Sequence, residues 1–435
     1  MVVMGGIVGV GIFINPYVVA QQVHTPALIL GAWLLGGLIA LAGAFIYAEL
    51  AARMPRIGGQ YAYLREAYHP AVAFLYGWVL LLVIQTGGMA AVAVTFARYF
   101  IELTRLHVAD GVIATLALAL FTVINCFGVR AGSTVQSALM VMKILVIAAL
   151  VACGWWFIRA PAMTWRPVLD RPASFDLVTA VGAAMVPVLF AYGGWQTANF
   201  IAEEVREPRK NLPRGLVLGV LGVIALYLAV NFICVRALGP AALAQTTTPV
   251  SSVMRLALDE RGATLIAAGI AVSALGFLSQ SILTAPRVYF AMAEDGLFFQ
   301  SVARINPRTH VPVAAILLQG ALTVVIALSR RYEQILNFVV SMDFLFFGLT
   351  ATCLFVFRRR EREFKGSGAA GGETGGFRVP GHPITTFLFI AASWLTVANT
   401  IYKYPGNTAV GMGILFAGIP VYFFWRWRQQ LGSNP

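Results

Sequence analysis

Gly5-Gly6-Ile7-Val8-Gly9-Val10-Gly11-Ile12-Phe13 interrupts the first apolar segment of this chain, and Phe190-Ala191-Tyr192-Gly193-Gly194-Trp195 interrupts the sixth. Glycine in a helix interior costs about 1 kcal/mol relative to alanine. Inside a bilayer, non-helical backbone is tolerated only where it is buried in protein or lines a cavity. Two such interruptions, one in each half of a membrane protein, therefore predict a binding site where they meet.

The composition indicates a membrane protein. The 435 residues are 59% hydrophobic and only 11% charged, and the mean hydropathy is +0.79. A soluble domain carries about 25% charged residues. Apolar stretches long enough to span a bilayer recur along the chain, and they lack the alternation of barrel strands. The sequence therefore predicts an all-α integral membrane protein.

The spacing of the apolar stretches predicts twelve membrane spans. They are 1–20, 28–50, 70–100, 109–128, 134–158, 177–202, 213–237, 262–293, 312–328, 333–357, 384–403 and 407–427. With the N-terminus inside, 18 of the 31 Lys and Arg residues lie on the inner side and 11 on the outer side. The positive-inside rule then favours cytoplasmic N- and C-termini, in the cell (plasma or inner) membrane.

Several classes of partner and cofactor are disfavoured. The net charge of +13 does not indicate nucleic acid, because Lys and Arg lie mostly between spans. The four cysteines lie in spans or at their ends, which is typical of small apolar residues rather than a disulfide framework. The five histidines lack metal-ligand spacing, so we expect no metal. No nucleophile elbow, Walker motif or hydrolytic carboxylate pair is present, so we expect neither an enzyme nor a cofactor.

The chain begins inside a span, without the basic n-region and cleavage site of a signal peptide. We therefore expect either a late start site or a longer native N-terminus. The stretch from Lys365 to Gly376 is rich in glycine and follows three arginines, which predicts a basic, flexible linker.

The first interruption is suited to an anion. Gly9, Val10 and Gly11 are expected to expose backbone N–H groups at the start of a half-helix that begins near Ile12. Free N–H groups and the helix dipole attract a negative charge such as a carboxylate. A glycine-lined contact between helices is the alternative interpretation.

The second interruption is suited to a cation. Phe190, Ala191 and Gly193 are expected to offer unpaired carbonyls at the end of a half-helix, and Pro187 loosens the ladder upstream. Such carbonyls suit an ammonium, while Phe190 and Trp195 have the bulk to cover a ligand as gates. The alternative is a proline–glycine kink packed with aromatics. A carboxylate site facing an ammonium site predicts an α-amino acid ligand.

Lys143 and Asp343 are two ionisable residues inside spans that suggest a function. Lys143 lies deep in an apolar run and should face the bundle interior, unless it snorkels to the membrane edge. We expect its ammonium to occupy the place where other transporters bind sodium, near the carbonyls around Gly6. Asp343 in the tenth span is either a functional carboxylate or a residue of a vestibule.

These residues resemble the amino acid–polyamine–organocation (APC) superfamily. Gly9-Val10-Gly11-Ile12-Phe13 is similar to its first-helix signature, and Pro55-Arg56-Ile57-Gly58-Gly59-Gln60-Tyr61-Ala62-Tyr63 to its loop between the second and third helices. Residues 190–195, running into 203–214, resemble the L-type amino acid transporter branch. The resemblance implies a LeuT-like 5+5 inverted repeat with helices 1 and 6 broken: residues 1–160, then 161–357, and a basic loop with two further helices over 358–435.

The resemblance also implies a set of site residues. The expected substrate contacts are Ile7, Gly9, Val10, Gly11, Phe190, Ala191, Gly193, Gln196 and Ser279. Val10 stands where the branch commonly has a small hydroxyl residue, and Gln196 and Ser279 stand where asparagine is common. Lys143 matches a fifth-helix lysine that takes the place of the second sodium ion.

The sequence therefore predicts a secondary transporter of neutral L-amino acids that works by alternating access, through sodium-independent exchange or facilitated transport. A cationic amino acid or polyamine carrier, with Asp343 as its acid, is one alternative. A proton-coupled symporter, with Lys143 carrying the proton, is another. A channel is disfavoured because the spans show no continuous polar lining. The animal members' disulfide to a glycoprotein heavy chain cannot form in residues 102–110, which contain no cysteine, so we expect no heavy-chain subunit.

Overall fold

The protein is described here from a computed structural model, which covers residues 2–56, 58–127, 132–158, 164–329, 332–366 and 376–432. The regular structure over these residues is helical. The α-helices are α1 Val2–Ile7, α2 Gly11–Gln22, α3 Pro26–Arg53, α4 Gln60–Ala67, α5 Pro70–Val79, α6 Gln85–Thr104, α7 Asp110–Cys126, α8 Gly132–Trp156, α9 Phe175–Tyr192, α10 Pro208–Leu243, α11 Pro249–Thr284, α12 Pro286–Glu294, α13 Val313–Ser329, α14 Tyr332–Gly366, α15 Ile384–Lys403 and α16 Pro405–Gly432. A short π-helical segment, Leu80–Ile84, joins α5 to α6, and 3-10 helices cover Trp195–Glu204 and Gln300–Ala303.

Eight helical segments among the described residues are long and apolar enough to cross a membrane. They are Pro26–Arg53, Pro70–Thr104, Phe175–Tyr192, Pro208–Leu243, Pro249–Glu294, Gln334–Glu363, Ile384–Lys403 and Pro405–Gln430. Shorter apolar helices cover Asp110–Cys126, Val141–Trp156 and Val313–Ser329. The chain is thus an all-helical, multi-pass membrane protein. Most of the predicted basic linker, residues 367–375, lies outside the described residues.

Helix starts and kinks follow local chemistry. The Thr25 hydroxyl accepts a hydrogen bond from the Leu28 N–H group at 3.3 Å, and Pro26 occupies the first position of α3. This is a side-chain N-cap followed by a residue that needs no N–H partner. Gly239, with φ 73°, kinks α10 just before Pro240. Such a left-handed φ favours glycine, which lacks a Cβ.

The two interrupted helices lie together in the centre of the bundle. Helix α2 packs along α9, and its residues from Gly11 to Ala20 are all buried. The Asn15 side-chain amide donates to the Pro187 carbonyl at 2.6 Å, and its Oδ1 accepts from the Tyr332 hydroxyl at 2.8 Å. A polar residue can be buried in this core because its hydrogen-bonding groups are paired.

The far ends of α2 and α9 are joined through the loop before α9. Asp170 accepts hydrogen bonds from the His24 N–H group at 3.0 Å and from Arg171, and Arg171 also pairs with Asp176 in the first turn of α9 at 2.7 Å. Burial raises the pKa of the Asp170 carboxyl, but the bonds from Arg171 and His24 outweigh it and hold that pKa below its ordinary value.

Near the C-terminal end of α3, the buried Glu49 carboxylate accepts hydrogen bonds from three groups. Arg53 reaches it from the same helix at 2.8 Å, Arg358 from α14 at 2.6 Å, and the Val379 N–H group at 2.7 Å. A fully buried carboxylate is retained only when its charge is paired and its lone pairs are satisfied. This network fastens α3 to the end of α14.

Candidate functional site

The first helix break spans three residues. Helix α1 ends at Ile7 and α2 begins at Gly11, one residue before the predicted start. The Gly9 N–H group bonds back to the Ile7 carbonyl at 2.6 Å, and the Phe13 N–H group to the Val10 carbonyl at 3.0 Å. The N–H groups at the very start of α2 have no partner within their own helix. They form a donor cluster at its positive end.

The second break lies at Gly193 and Gly194, after α9 ends at Tyr192. The Gly193 N–H group bonds to the Phe190 carbonyl at 3.1 Å. Gly194 has φ 101°, and its N–H group donates to Gln196 Oε1 at 2.9 Å. The chain then continues as a 3-10 helix, so the last carbonyls of α9 stand at the negative end of a helix that stops here.

The two breaks touch each other. The Tyr227 hydroxyl lies 3.0 Å from the Ile7 carbonyl oxygen and 3.2 Å from that of Ala191, so one O–H group bridges both breaks. A Cβ built on Gly11 would lie 2.9 Å from the Ala191 Cα, so the backbones there are nearly in contact. The start of α2 and the end of α9 therefore meet at one place, with N–H donors beside carbonyl acceptors.

A cavity of about 80 Å³ opens at this junction. Its wall includes nine of the residues expected to contact the substrate or the cation: Gly6, Ile7, Gly9, Val10, Gly11, Phe190, Ala191, Gly193 and Gln196. Ile84 of the π-helical segment and residues of α6, α11 and α14 complete it, namely Gln85, Gly88, Met89, Val92, Phe277, Gln280, Ser281, Thr284, Val339, Val340, Asp343 and Phe344, and Leu189, Gly194 and Thr197 lie at the second break. The volume is several times the roughly 10–15 Å³ that one water requires, so the cavity has room for a compact ligand.

Two predicted residues lie elsewhere. Ser279 does not line the cavity; its hydroxyl donates to the Asn125 side chain of α7 at 3.4 Å, and its neighbours Gln280 and Ser281 line the cavity instead. Trp195, predicted as a gate, is buried away from the cavity against Tyr47 and Phe347, with ring centroids 4.7 and 5.1 Å away. The left-handed turn at Gly194 directs the indole away from the cavity.

Lys143 lies behind the first break. It is 3% exposed, and its ammonium donates to the Val8 carbonyl at 3.1 Å and lies 5.8 Å from the centre of the Phe277 ring. The lysine thus faces the bundle interior and does not snorkel. Its partner is Val8 rather than Gly6, because the Gly6 carbonyl is packed against Gly194.

Several parts of the site are not predicted from the sequence. Tyr227, which bridges the breaks, was an isolated polar residue in an apolar span, and so was Asn15. That isolation was an available signal, because a polar group in a span must find a partner. Of the residues that α6 contributes to the cavity wall, only Gln85 is polar, so the others gave no such signal.

The geometry brings partial charges of opposite sign close together in space: helix-start N–H groups for an anion and helix-end carbonyls for a cation. Among the described residues, no group of three His, Cys, Asp or Glu side chains is placed to hold a metal ion. Such an arrangement of main-chain dipoles is suited to a small zwitterion.

The chain is similar to known proteins along nearly its whole length. Residues 1–425 match the family model described as "Amino acid permease". The chain is 30% identical to the serine/threonine exchanger SteT of Bacillus subtilis (strain 168), over 98% of this chain and 95% of SteT. It is 28% identical to the large neutral amino acids transporter small subunit 2 of Mus musculus, over 99% of this chain and 80% of that protein. It is 26% identical to the cystine/glutamate transporter of Homo sapiens, over 97% of this chain and 83% of that protein.

Proposed function

Because the chain belongs to the amino acid permease family, within the APC superfamily and close to its L-type amino acid transporter branch, we propose that it is a secondary transporter of neutral L-amino acids. It works by alternating access, as an exchanger or a facilitator. The relatives' names support this, since they include an exchanger of serine and threonine and a transporter of large neutral amino acids. The protein is a carrier and not an enzyme.

One observation supports the substrate class most directly. The start of α2 and the end of α9 flank one cavity, with Gly11 and Ala191 nearly in contact. In this proposal the substrate carboxylate binds the N–H groups at the start of α2, and the α-ammonium binds carbonyls of Phe190 and Ala191. Each carbonyl oxygen has two lone pairs, so the existing bonds at these atoms leave capacity for a ligand.

The proposal includes the architecture implied by the family. Residues 1–160 and 161–357 form the two inverted repeats of a LeuT-like core, and residues 358–435 add a basic loop and two helices, giving twelve spans. The protein lies in the plasma or inner membrane, and both of its termini lie in the cytoplasm. The excess of Lys and Arg in the loops on that side supports this orientation.

Lys143 makes transport independent of sodium in this proposal. Its ammonium is bound to the Val8 carbonyl, so a fixed positive charge already sits against the first break. Uptake by the purified protein in liposomes should be unchanged when choline replaces sodium. A requirement for a sodium gradient would contradict this assignment.

The transporter works without a heavy-chain subunit in this proposal, because residues 102–110 offer no cysteine for a disulfide. Purified protein reconstituted alone should therefore show counterflow of labelled alanine. The same assay separates a carrier from a channel, since only a carrier shows saturation and counterflow.

The test of the site replaces Gly11 with valine. Because the Gly11 Cβ would already lie 2.9 Å from the Ala191 Cα, the larger side chain must push the breaks apart. We expect a folded protein with no counterflow. Gly31→Val is the matched control, since a Cβ at this exposed position in α3 meets nothing within 4 Å. Normal counterflow by the Gly11 variant would refute the site.

Arginine and polyamine competition decides between the neutral carrier and the cationic carrier. A neutral carrier should lose little alanine counterflow in the presence of excess arginine or putrescine. Strong inhibition by either would favour the cationic alternative. Stimulation by an imposed proton gradient would favour the proton-coupled symporter.

A further inference from the structure

Another cavity lies where the last turns of α16 meet the segment that follows α12. Its volume is about 570 Å³, within the roughly 300–1,000 Å³ that is typical of ligand sites. It is distinct from the cavity between the helix breaks, whose wall is made by other residues. The segment after α12 and the end of α16 line it with Gly296, Phe298, Phe299, Gln300, Ser301, Trp425, Arg428 and Gln429.

The two walls of this cavity are fastened to each other. The Gln429 side-chain amide donates to the Asp295 carbonyl at 2.6 Å, and a Cβ built on Gly296 would lie 2.3 Å from Gln429 Nε2. The Phe299 and Trp425 rings pack edge to face with their centroids 4.9 Å apart. A site whose walls are already in place binds a ligand without the cost of ordering them. The cavity is therefore preformed.

Arg428 brings a positive charge to the cavity. Among the described residues it takes part in no hydrogen bond or ion pair, so its five N–H donors are available to a ligand. Two of the described acids, Glu294 and Asp295, precede the segment, and neither is ion-paired with Arg428. The Asp295 carboxylate is bound instead to Arg65 and, at 2.7 Å, to the Tyr61 hydroxyl. The charge of Arg428 is thus left to attract an anion.

The donors of this cavity suit a phosphate group. The Arg428 guanidinium lies 5.6 Å from the centre of the Trp425 ring, a cation–π contact that limits its orientations. Its planar fork of N–H groups matches the oxygens of a phosphate. The Gln300 amide and the Ser301 hydroxyl add hydrogen-bond donors from the other wall.

The cavity lies at the depth of lipid headgroups. Helix α16 begins at Pro405, just after the turn at the end of α15, and about 20 helical residues cross the hydrocarbon core of a bilayer. Counted from Pro405, that core ends near Trp425, so Arg428 lies one turn beyond it. Exposed aromatic side chains, which are typical of membrane interfaces, lie at this level: Phe299, Phe423, Phe424 and Trp427.

We propose that this cavity binds an anionic phospholipid, with the lipid phosphate on Arg428 and the upper part of the acyl chains against Phe299. A soluble anion lacks the apolar part that exposed aromatic side chains contact, and a sterol lacks the negative charge. A zwitterionic lipid carries a cation of its own, which competes with Arg428 for the phosphate. This site is separate from the substrate site, so it stands or falls apart from the proposed function.

The test compares phosphatidylglycerol with phosphatidylcholine, both with the same acyl chains. Each is added to delipidated protein in non-ionic detergent. Lipid adducts are counted by native mass spectrometry, and the melting temperature is measured alongside. One arginine near an anionic headgroup is expected to favour phosphatidylglycerol about fivefold. That lipid should also raise the melting temperature more, since a ligand stabilises according to its affinity.

Replacement of Arg428 should remove this preference. In Arg428→Gln the two lipids should bind alike, and the melting temperature without lipid should match that of the wild type because Arg428 is exposed. Arg426→Gln is the matched control. It removes the same charge from the same end of α16, but Arg426 donates to the Tyr422 hydroxyl at 3.2 Å and does not line the cavity. This variant should keep the preference for phosphatidylglycerol.

The contrary outcomes are equally clear. Equal binding of the two lipids by the wild type overturns the proposal, and so does an unchanged preference in Arg428→Gln. Equal losses in the Arg428 and Arg426 variants would show a diffuse basic surface rather than a site. If inorganic phosphate displaces phosphatidylglycerol and raises the melting temperature as much, the cavity binds a soluble anion instead. None of these readouts involves transport, so a failed counterflow assay leaves them interpretable.

Discussion

The two helix breaks use glycine differently. At the first break, Gly6, Gly9 and Gly11 have backbone angles that other residues also adopt. Neighbouring atoms lie close to the place that a Cβ would occupy. At the second break Gly194 combines a left-handed φ of 101° with close contact to the Gly6 carbonyl. The first break therefore needs glycine because there is little space for a Cβ, while the second also needs a backbone conformation that only glycine adopts easily.

Their hydrogen bonds differ in the same way. Carbonyls of the first break are bonded by distant side chains, Tyr227 at Ile7 and Lys143 at Val8. At the second break, Gln196 and Thr197 bond the main chain of Gly194 from two and three residues away, and the distant Tyr227 also reaches the Ala191 carbonyl. We infer that the first break is stabilised by the rest of the fold, whereas the second is largely stabilised by its own local sequence.

The sharpest test of this difference is Gly194→Ala. A left-handed φ costs a residue with a Cβ about 1–2 kcal/mol, and here the Cβ also collides with the Gly6 carbonyl. We expect loss of counterflow and a clear fall in melting temperature. Gly239→Ala is the control, because Gly239 has φ 73° and open space around its Cβ position. Equal effects of the two substitutions would show that contact between the breaks is unimportant.

The next largest effect is expected from Lys143→Met. Methionine keeps an unbranched apolar stem but cannot donate to the Val8 carbonyl, and hydrogen bonds of charged groups contribute about 1.5–3 kcal/mol. Counterflow should fall strongly in both sodium and choline buffers. The exposed Lys210→Met should behave as wild type. Full counterflow by the Lys143 variant would show that the first break does not need this ammonium.

A smaller effect is expected from Tyr227→Phe. The hydroxyl is shared between the Ile7 and Ala191 carbonyls, so its removal loosens the contact between the breaks. A typical net contribution of one hydrogen bond is about 1 kcal/mol, so we expect a modest loss of thermal stability and reduced counterflow. The exposed Tyr402→Phe should change neither. If Tyr227→Phe is also silent, the two breaks are held together by packing alone.

The sequence was informative wherever a residue type constrains the backbone. Glycine clusters placed both breaks within a residue or so of where the helices end, and apolar length located the long helices. The assignment of side chains to faces was less reliable. Ser279 and Gln280 are adjacent, but one turns toward Asn125 and the other toward the cavity. Successive residues of a helix point about 100° apart, so a position taken from the family resemblance does not by itself show which of two neighbours faces the cavity.

Trp195 shows a second limit of the sequence. Its expected role as a gate rested on its bulk alone, which does not specify a direction; the positive φ of Gly194 precedes a 3-10 helix, and the indole packs against Tyr47. The isolated hydroxyl of Tyr227 indicated that it has a partner, but not which one. It joins residues 220 positions apart, and no local pattern specifies such a contact.

Acid should weaken the attachment between the far ends of the two broken helices. The pKa of Asp170 lies below its ordinary value in the fold, so its ionised form stabilises the protein above the unfolded-state pKa. That stabilisation is lost as the pH falls through the folded-state pKa. We expect the melting temperature to drop with acidification less steeply in Asp170→Asn than in the wild type. Parallel curves would show that this loop does not contribute to stability.

The smallest effect is expected from Gly9→Ala, although Gly9 lies in the middle of the first break. Its Cβ would lie 3.3 Å from the edge of the Phe277 ring, and a ring can shift by a few tenths of an ångström where a backbone cannot. The substitution also restricts the unfolded chain, which stabilises by about 0.4–1 kcal/mol when the native angles are compatible. Thermal stability should therefore stay close to that of the wild type, with counterflow retained. Loss of counterflow in a stable Gly9→Ala protein would mean that the first break needs glycine for close approach of the substrate, and the proposed difference between the breaks would no longer hold.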